Sequence, residues 1–191
     1  MDELIRKIAL AKVLIDNGMC RVGQRLDPRS AVDAQLSTAA GRAIVLSDAV
    51  GALCRQGRPN EALPLLRQLT EEAAAMRWLA EGAGEEGAAA LAKEREEATW
   101  DALWPEARLR RRAEAGGLSE EVSSVIGLCR EFSLGGPVTL PWAHVFPGAQ
   151  REPLKPGAAL EPAVRMMGHV LNALDRRWPG EFPGAEQVWA R

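Results

Sequence analysis

The sequence of 191 residues contains no tyrosine and few cysteines and histidines. Its cysteines, Cys20, Cys54 and Cys129, form no C-x-x-C pair, so neither a disulfide framework nor a cysteine-rich zinc site is expected. Neither histidine follows a glutamate by three residues, which excludes the Glu-x-x-His ligand pairs of di-metal helical bundles. The G-x-x-x-x-G-K-S/T loop that holds phosphates in P-loop nucleotide-binding enzymes is also absent. We therefore predict that the protein has no metal and no cofactor.

The chain also lacks a large net charge and a long hydrophobic run. Its 24 basic and 26 acidic residues give a formal net charge of −2, so no whole-molecule field attracts nucleic acid or an anionic membrane. No apolar run approaches the roughly 18 residues of a membrane span, and the charged start of the chain is unlike a signal peptide. We predict a soluble, cytoplasmic protein for which nucleic acid and membrane are not expected as partners.

Helical periodicity is the main indication of the fold. Apolar residues recur at helical spacing along most of the chain, and no segment shows the alternation of a half-buried strand. We predict an all-α fold, an antiparallel bundle of five to seven helices that forms a single domain over residues 1–191. Asn17-Gly18 is expected to end the first helix, Asp27 to cap the second, and Pro162 to open the last.

The stretch from Ile44 to Glu81 carries the clearest geometry. Two helical patterns flank a Gly-Arg-Pro-Asn turn, and the second should extend from about Asn60 to Gly82. An advance of 100° per residue puts apolar residues on both of its faces, so this helix is expected near the middle of the bundle. One of these faces also carries the residues most suited to a functional site, which are Arg67, Glu71 and Trp78.

The Arg67–Glu71 pair has two interpretations. As an exposed pair four residues apart, in the less favourable order, it would stabilise the helix by only about 0.3 to 0.5 kcal/mol. In the middle of a bundle, both charges would be partly desolvated and would need partners. Only the second arrangement provides a functional site.

The proline- and glycine-rich segment 133–158 is predicted to be a long loop, and residues 179–191 are predicted to form a C-terminal tail. Long loops inside compact domains often carry function, and this one holds Trp142 and His144. If the loop covers the third helix, a pocket would form between them.

Catalytic roles in such a pocket follow from the chemistry of its side chains. Arg67 would hold an anionic or carbonyl group, His144 would exchange a proton near its ordinary pKa of about 6.5, and Glu71 would orient one of them. Trp78 and Trp142 would provide ligand-binding surfaces.

Two further groups of side chains are candidates for a site. The basic run at 108–112 lacks interleaved aromatic residues and has glutamates nearby, so it is predicted to be a solvated helix end. A nucleophile pair formed by Cys54 or Cys129 with His144 stays open, because neighbours in the fold are invisible in the sequence.

A pattern over residues 34–144 resembles a known family. A long helix and a turn with Gly57 precede residues 61–71, EALPLLRQLTE, which follow the spacing E/D-A-L-x-L-x-R-x-L-x-E, and His144 follows much later in the form x-x-H-x-x-P. These features are similar to a bacterial group of helical proteins, the domain of unknown function 5677. The resemblance implies a helical bundle, distantly similar to HEPN nucleotide-binding and ribonuclease domains.

The HEPN similarity implies an action on RNA. HEPN ribonucleases aim an arginine, and a histidine that follows after four to six residues, at a phosphodiester from a dimer interface. This chain offers Arg165-Met-Met-Gly-His169, with fewer intervening residues, and so departs from the family pattern.

Three functional hypotheses follow from the sequence. The first is a helical-bundle protein that binds a protein partner or forms a homo-oligomer, because no complete catalytic motif is present. The second is a small-molecule enzyme or ligand-binding protein that uses Arg67, Glu71 and His144. The third is an RNA-acting protein of the HEPN type.

Overall fold

The computed structural model describes residues 1–96, 106–133 and 154–189. This described part of the chain contains helices and turns but no strand, so the predicted all-α bundle is confirmed. Seven of its helices have ten residues or more, in agreement with the predicted five to seven.

The helices in chain order are α1 (Asp2–Val22), α2 (Ala31–Arg55), α3 (Pro59–Trp78), α4 (Gly84–Glu96), α5 (Glu106–Ala115), α6 (Ser119–Ser133), α7 (Pro156–Arg177) and the short α8 (Glu186–Trp189). A 3-10 turn over Gly23–Arg25 follows α1, and a π-helical turn over Leu79–Ala83 joins α3 to α4. Gly82 has a φ of 124° at this junction, which residues with a side chain rarely adopt. The glycine therefore lets the chain turn sharply between two helices.

Helix α3 lies at the centre of the bundle and packs against α2, α5, α6 and α7. Leu66, Leu69 and Met76 are buried on one of its faces, and Leu63 and Ala74 are buried on the other. Full burial of a Leu or Met side chain contributes about 1.5 to 3 kcal/mol, so both faces stabilise the fold. The prediction of a central helix with two apolar faces is confirmed.

Helix α1 extends to Val22 and passes through the predicted stop at Asn17-Gly18. Gly18 is buried, and a Cβ atom built on it would lie 2.2 Å from two ring carbons of Phe182. Phe182 is itself buried, so the missing side chain makes room for the aromatic ring. The prediction was wrong because packing against the distant C-terminal tail decides the role of this glycine.

Helix α2 begins at Ala31, later than the predicted cap at Asp27. The hydroxyl oxygen of Ser30 accepts the N–H of the third helical residue at 3.1 Å. Glu85, at the start of α4, accepts the Ser30 hydroxyl at 2.6 Å and the Ala31 N–H at 2.7 Å. Asp27 instead accepts the N–H of Arg29 at 2.8 Å in the preceding turn. The prediction was wrong because a carboxylate from another helix completes the cap at Ser30.

A buried carboxylate joins the start of α2 to the end of α7. Oδ1 of Asp33 lies 2.8 Å from Nε and 2.7 Å from Nη2 of Arg177. Oδ2 of Asp33 accepts the backbone N–H of Asp27 at 3.1 Å. The carboxylate is therefore held by groups from both the preceding turn and the last turn of α7.

Helix α7 begins at Pro156 rather than at the predicted Pro162. Pro156 occupies the first turn, where a missing N–H costs nothing, whereas Pro162 lies inside the helix and removes one hydrogen bond without ending it. The predicted loop therefore ends earlier than expected, and its residues 134–153 lie outside the described part of the chain.

Among the described helices, α2 is long and apolar enough to cross a membrane by length and composition alone. A buried core helix meets the same criterion, and α2 packs against α3, α7 and α4. No long uninterrupted apolar run in the sequence marks this helix. Its alanine and valine residues nevertheless raise its mean hydropathy, although polar residues are scattered among them.

Candidate functional site

The Arg67–Glu71 pair lies on the inner part of α3, in a partly desolvated position. Nε of Arg67 is 3.5 Å from Oε1 of Glu71, and the two side chains are 16% and 31% exposed. The fully solvated interpretation of this pair is therefore wrong. Two charges removed from water to this extent are far more sensitive to their neighbours than a surface pair.

Glu71 titrates close to neutral pH. Burial raises the pKa of its carboxyl group to about 7, and the positive charge of Arg67 opposes that rise without cancelling it. At neutral pH, Glu71 therefore exists both as a carboxylate and as a carboxylic acid. A group with this property can donate or accept a proton under physiological conditions.

A small cleft opens beside Glu71, with a volume of about 60 Å³. Its other lining residues come from α5 and are Arg108, Leu109 and Arg112. Behind Leu109, an apolar cluster fills the space between α3, α5 and α6, and its members are Ala74, Leu109, Ala113, Leu118, Val122 and Ile126. The cleft thus has charged walls on an apolar base.

Trp78 fixes the position of Arg112 at this cleft. The guanidinium carbon of Arg112 lies 5.3 Å from the centre of the Trp78 ring, within the range of a cation–π contact. Arg112 also forms an ion pair with Glu94 of α4, and Arg108 lies 3.5 Å from the same carboxylate oxygen. Trp78 therefore acts on the cleft through Arg112.

The sequence did not identify Arg112 as a site residue. The basic run at 108–112 was predicted to be solvated, but the Arg112 side chain is only 19% exposed. Its position was nevertheless encoded, because Leu109 and Ala113 mark the inner face of α5 and Arg112 lies beside them on that face. Arg110, which is exposed, agrees with the predicted solvated end.

Cys129 of α6 lies close to this charged pair but is not activated by it. Its Sγ is 3.6 Å from the carbonyl oxygen of Leu63. Burial raises the pKa of the Cys129 thiol to about 11, although Arg67 acts in the opposite direction. Burial also raises the pKa of Cys54. Neither cysteine is therefore a thiolate at neutral pH, which disfavours the Cys–His nucleophile pair that the sequence left open.

The remaining predicted site residues, Trp142 and His144, lie outside the described residues. Of the predicted residues on α3, Glu71 lines the cleft together with Arg108 and Arg112, Arg67 pairs with Glu71, and Trp78 contacts Arg112. The proposed proton-transfer role of His144 stays a prediction.

The Arg165–His169 pair of the HEPN hypothesis lies on α7. The side chain of His169 is 14% exposed, and its Nε2 is 3.7 Å from Oε1 of Glu121. Burial lowers the pKa of His169 to about 4; Glu121 opposes this effect, and Arg77 and Arg165 add to it. The imidazole is therefore neutral at physiological pH.

No group of three or more histidine, cysteine, aspartate or glutamate side chains with metal-site geometry occurs in the described segments. The glutamates of α3 form ion pairs with arginines. Glu72 of α3 pairs with Arg42 at 3.2 Å and with Arg95 at 2.5 Å.

A second surface feature lies on α2, on the side opposite the core. Val45 is 67% exposed, and Val13 of α1 is 53% exposed. An ion pair between Lys12 and Asp48 joins the two helices. This pair is next to both valines, since Val13 follows Lys12 and Val45 lies one turn before Asp48. A Cβ atom added to Gly41, one turn before Val45, would meet nothing within 4 Å, so the space beside this glycine is open among the described residues.

Comparison with protein families supports one expectation from the sequence. Residues 33–118 match a family of unknown function, DUF5677. The predicted resemblance to that family is therefore confirmed, whereas the distant HEPN relationship stays a prediction. The DUF5677 segment contains nearly all of α2 and the whole of α3, α4 and α5, and with them Glu71, Arg108 and Arg112. No curated protein and no solved structure matches the chain at a significant level.

Proposed function

We propose that this protein acts by self-association, through the outer face of α2. The observation that carries the proposal is the exposure of Val45 in the middle of the longest helix described. Burial of a valine side chain contributes about 1.5 to 3 kcal/mol, and a symmetric dimer buries two of them. Gly41 beside Val45 leaves room for a second helix to approach.

Charge complementarity favours a second copy in antiparallel orientation. Arg42 and Asp48 lie three residues before and after Val45, and their side chains are 55% and 56% exposed. An antiparallel copy of α2 centred on Val45 sets Arg42 of one chain level with Asp48 of the other. A parallel copy would set like charges level with each other, which is unfavourable.

Replacement of Val45 by aspartate tests this surface. We expect V45D to weaken self-association by about tenfold or more, because it removes two buried valines and adds two like charges near the two-fold axis. Sedimentation equilibrium over a range of protein concentrations measures the effect.

Ala107→Asp is the matched control for V45D, since Ala107 is an exposed residue of α5, remote in sequence from α2. This variant should associate like the unaltered protein. A protein that remains monomeric at all concentrations, or an equal loss in both variants, would refute the α2 interface.

A second candidate function is small-molecule binding in the cleft between α3 and α5. The observation in its favour is that Glu71, with a pKa raised to about 7, lines a cleft together with two arginines. Ligand-detected NMR with a fragment library tests it, using Glu71→Gln and Arg112→Gln as variants. Fragments that bind all three proteins equally would argue against this cleft as the site.

A cytoplasmic location is part of the proposal, and the state of the cysteines supports it. No disulfide joins any two of Cys20, Cys54 and Cys129, and two of these residues are buried. Cysteines that form no disulfide are typical of proteins in reducing compartments.

Action on RNA through Arg165 and His169 stays a prediction from the resemblance.

A further inference from the structure

The cleft beside Glu71 has more positive than negative charge on its walls. Arg108 and Arg112 both approach one oxygen of one carboxylate, Oε2 of Glu94. Each guanidinium carries about five N–H donors, far more than a single carboxylate oxygen accepts. The two arginines therefore retain capacity for a further acceptor at the cleft.

The site is also held in position before any ligand arrives. Trp78 and Glu94 restrain Arg112 from two sides, so little side-chain entropy would be lost when Arg112 binds another group. Arg108 is 43% exposed and lies on the solvent side of the cleft. Arg112 is thus preorganised inside the cleft, and Arg108 can contact a ligand from the solvent side.

The apolar base of the cleft strengthens electrostatic interactions above it. Leu109 lines the cleft, and the cluster behind it excludes water from the space between α3, α5 and α6. A charge-assisted hydrogen bond is stronger in such a setting than in bulk water.

We propose that this cleft binds a small oxyanion, a carboxylate or a phosphate-like group, on the guanidinium groups of Arg108 and Arg112, with the protonated Glu71 carboxyl group donating a hydrogen bond to a ligand oxygen. The inference rests on the second proposed function and names its ligand class. A cleft of about 60 Å³ accepts the anionic group, and the rest of a larger ligand extends into solvent.

Binding of an anion at this position takes up a proton. A negative ligand disfavours the Glu71 carboxylate and therefore raises the pKa of Glu71 above its value of about 7 in the empty protein. The groups that face or surround Glu71 are Arg67 and Glu72 on α3, Arg108 and Arg112 on α5, Glu94 on α4 and the neutral thiol of Cys129 on α6. The pH dependence of anion binding is therefore the measure of this proton uptake by Glu71.

Titration calorimetry with acetate, sulfate and acetamide tests the proposal at constant ionic strength. Acetate and sulfate represent the carboxylate and the phosphate-like ligand, and neither titrates between pH 6 and 8. We expect the better of the two anions to bind about 5- to 10-fold more tightly at pH 6 than at pH 8. Acetamide, the neutral counterpart of acetate, should bind at least about tenfold more weakly than acetate.

Three variants separate the cleft from general charge effects. Arg112→Gln should reduce anion affinity at pH 6 by about tenfold or more, whereas Arg110→Gln, an exposed arginine of the same helix, should leave it unchanged. Glu71→Gln should still bind the anion, but with the same affinity at pH 6 and pH 8. Arg108→Gln, at a more exposed position, repeats the test if loss of the Trp78 contact unfolds R112Q.

The outcomes distinguish this inference from the ligand-binding function on which it rests. If acetamide binds as tightly as acetate, the cleft binds small molecules but the oxyanion assignment is overturned. If R110Q and R112Q lose affinity equally, the binding is general charge attraction and the assignment is also overturned. No detectable binding of acetate or sulfate at tens of millimolar would overturn it as well, while fragment hits at the cleft would leave the function standing.

Discussion

Replacement of Asp33 by alanine is expected to lower the free energy of unfolding by about 3 kcal/mol. The Asp33 carboxylate is buried and accepts hydrogen bonds from the Arg177 guanidinium and the Asp27 backbone. Its removal leaves these donors without their acceptor and separates the end of α7 from the start of α2. For a protein of this size, the loss corresponds to a fall in Tm of about 6 to 12 °C. Urea denaturation and calorimetry measure both quantities.

Asp48→Ala provides a matched control in the same helix. Asp48 also pairs with a basic side chain, Lys12, but its own side chain is largely exposed. Exposed ion pairs contribute about 0 to 1 kcal/mol, so D48A should cost far less than D33A. Equal losses in the two variants would show that burial of the Asp33 pair is not what stabilises this junction.

The second large effect is a loss of stability in acid that depends on His169. The folded protein holds the pKa of His169 at about 4, below the ordinary value of 6.5. The unfolded chain therefore binds more protons than the folded one between these two pH values. His169 contributes stability that is fully present above pH 6.5 and is lost as the pH falls toward 4, by about 2 to 3 kcal/mol in total.

Glu71 has the opposite linkage. Its folded pKa of about 7 lies above the ordinary value of 4.5, so the folded protein binds more protons than the unfolded chain in that interval. Stability from this group is fully present below pH 4.5 and is lost as the pH rises toward 7. Because Glu71 is nearly a third exposed, solvent screening reduces the effect to about 1 to 2 kcal/mol. The two linkages partly cancel between pH 4.5 and 6.5.

Single variants separate the two groups. Denaturation of Glu71→Gln should show stability that rises with pH up to about 6.5, since only the His169 linkage remains. His169→Gln should show stability that falls as the pH rises toward 7. Hydrogen bonds lower the pKa values of Glu85 and Glu106. Measurements above pH 4.5 therefore avoid the titration of these two groups. Parallel curves for both variants and the unaltered protein would contradict both assignments.

The central position of α3 could be predicted from the sequence because it depends on local periodicity. Two apolar faces on one helix require neighbours on two sides, whatever those neighbours are. The grouping of Arg67, Glu71 and Trp78 follows from the same 3.6-residue repeat. The sequence was therefore sufficient wherever one helix determines the geometry.

The other half of the cleft depends on contacts between helices and could not be predicted in the same way. Arg112 belongs to the cleft because α5 packs against α3, and a cluster of four arginines close together in the sequence gives no sign of which one turns inward. The Gly18 and Glu85 positions show the same limit. Gly18 leaves space for the aromatic ring of Phe182, and Glu85 caps a helix that begins 54 residues earlier.

The contact between Gly18 and Phe182 has a consequence for how the chain is made. Helix α1 leaves the ribosome well before α7 and Phe182, yet it packs against α7 and receives the ring of Phe182. Until then, α1 can pack against α2 but lacks the α7 part of its docking surface, and an isolated helix of this length is only marginally stable in water. The docking of α1 is therefore complete only after the last helices of this bundle emerge.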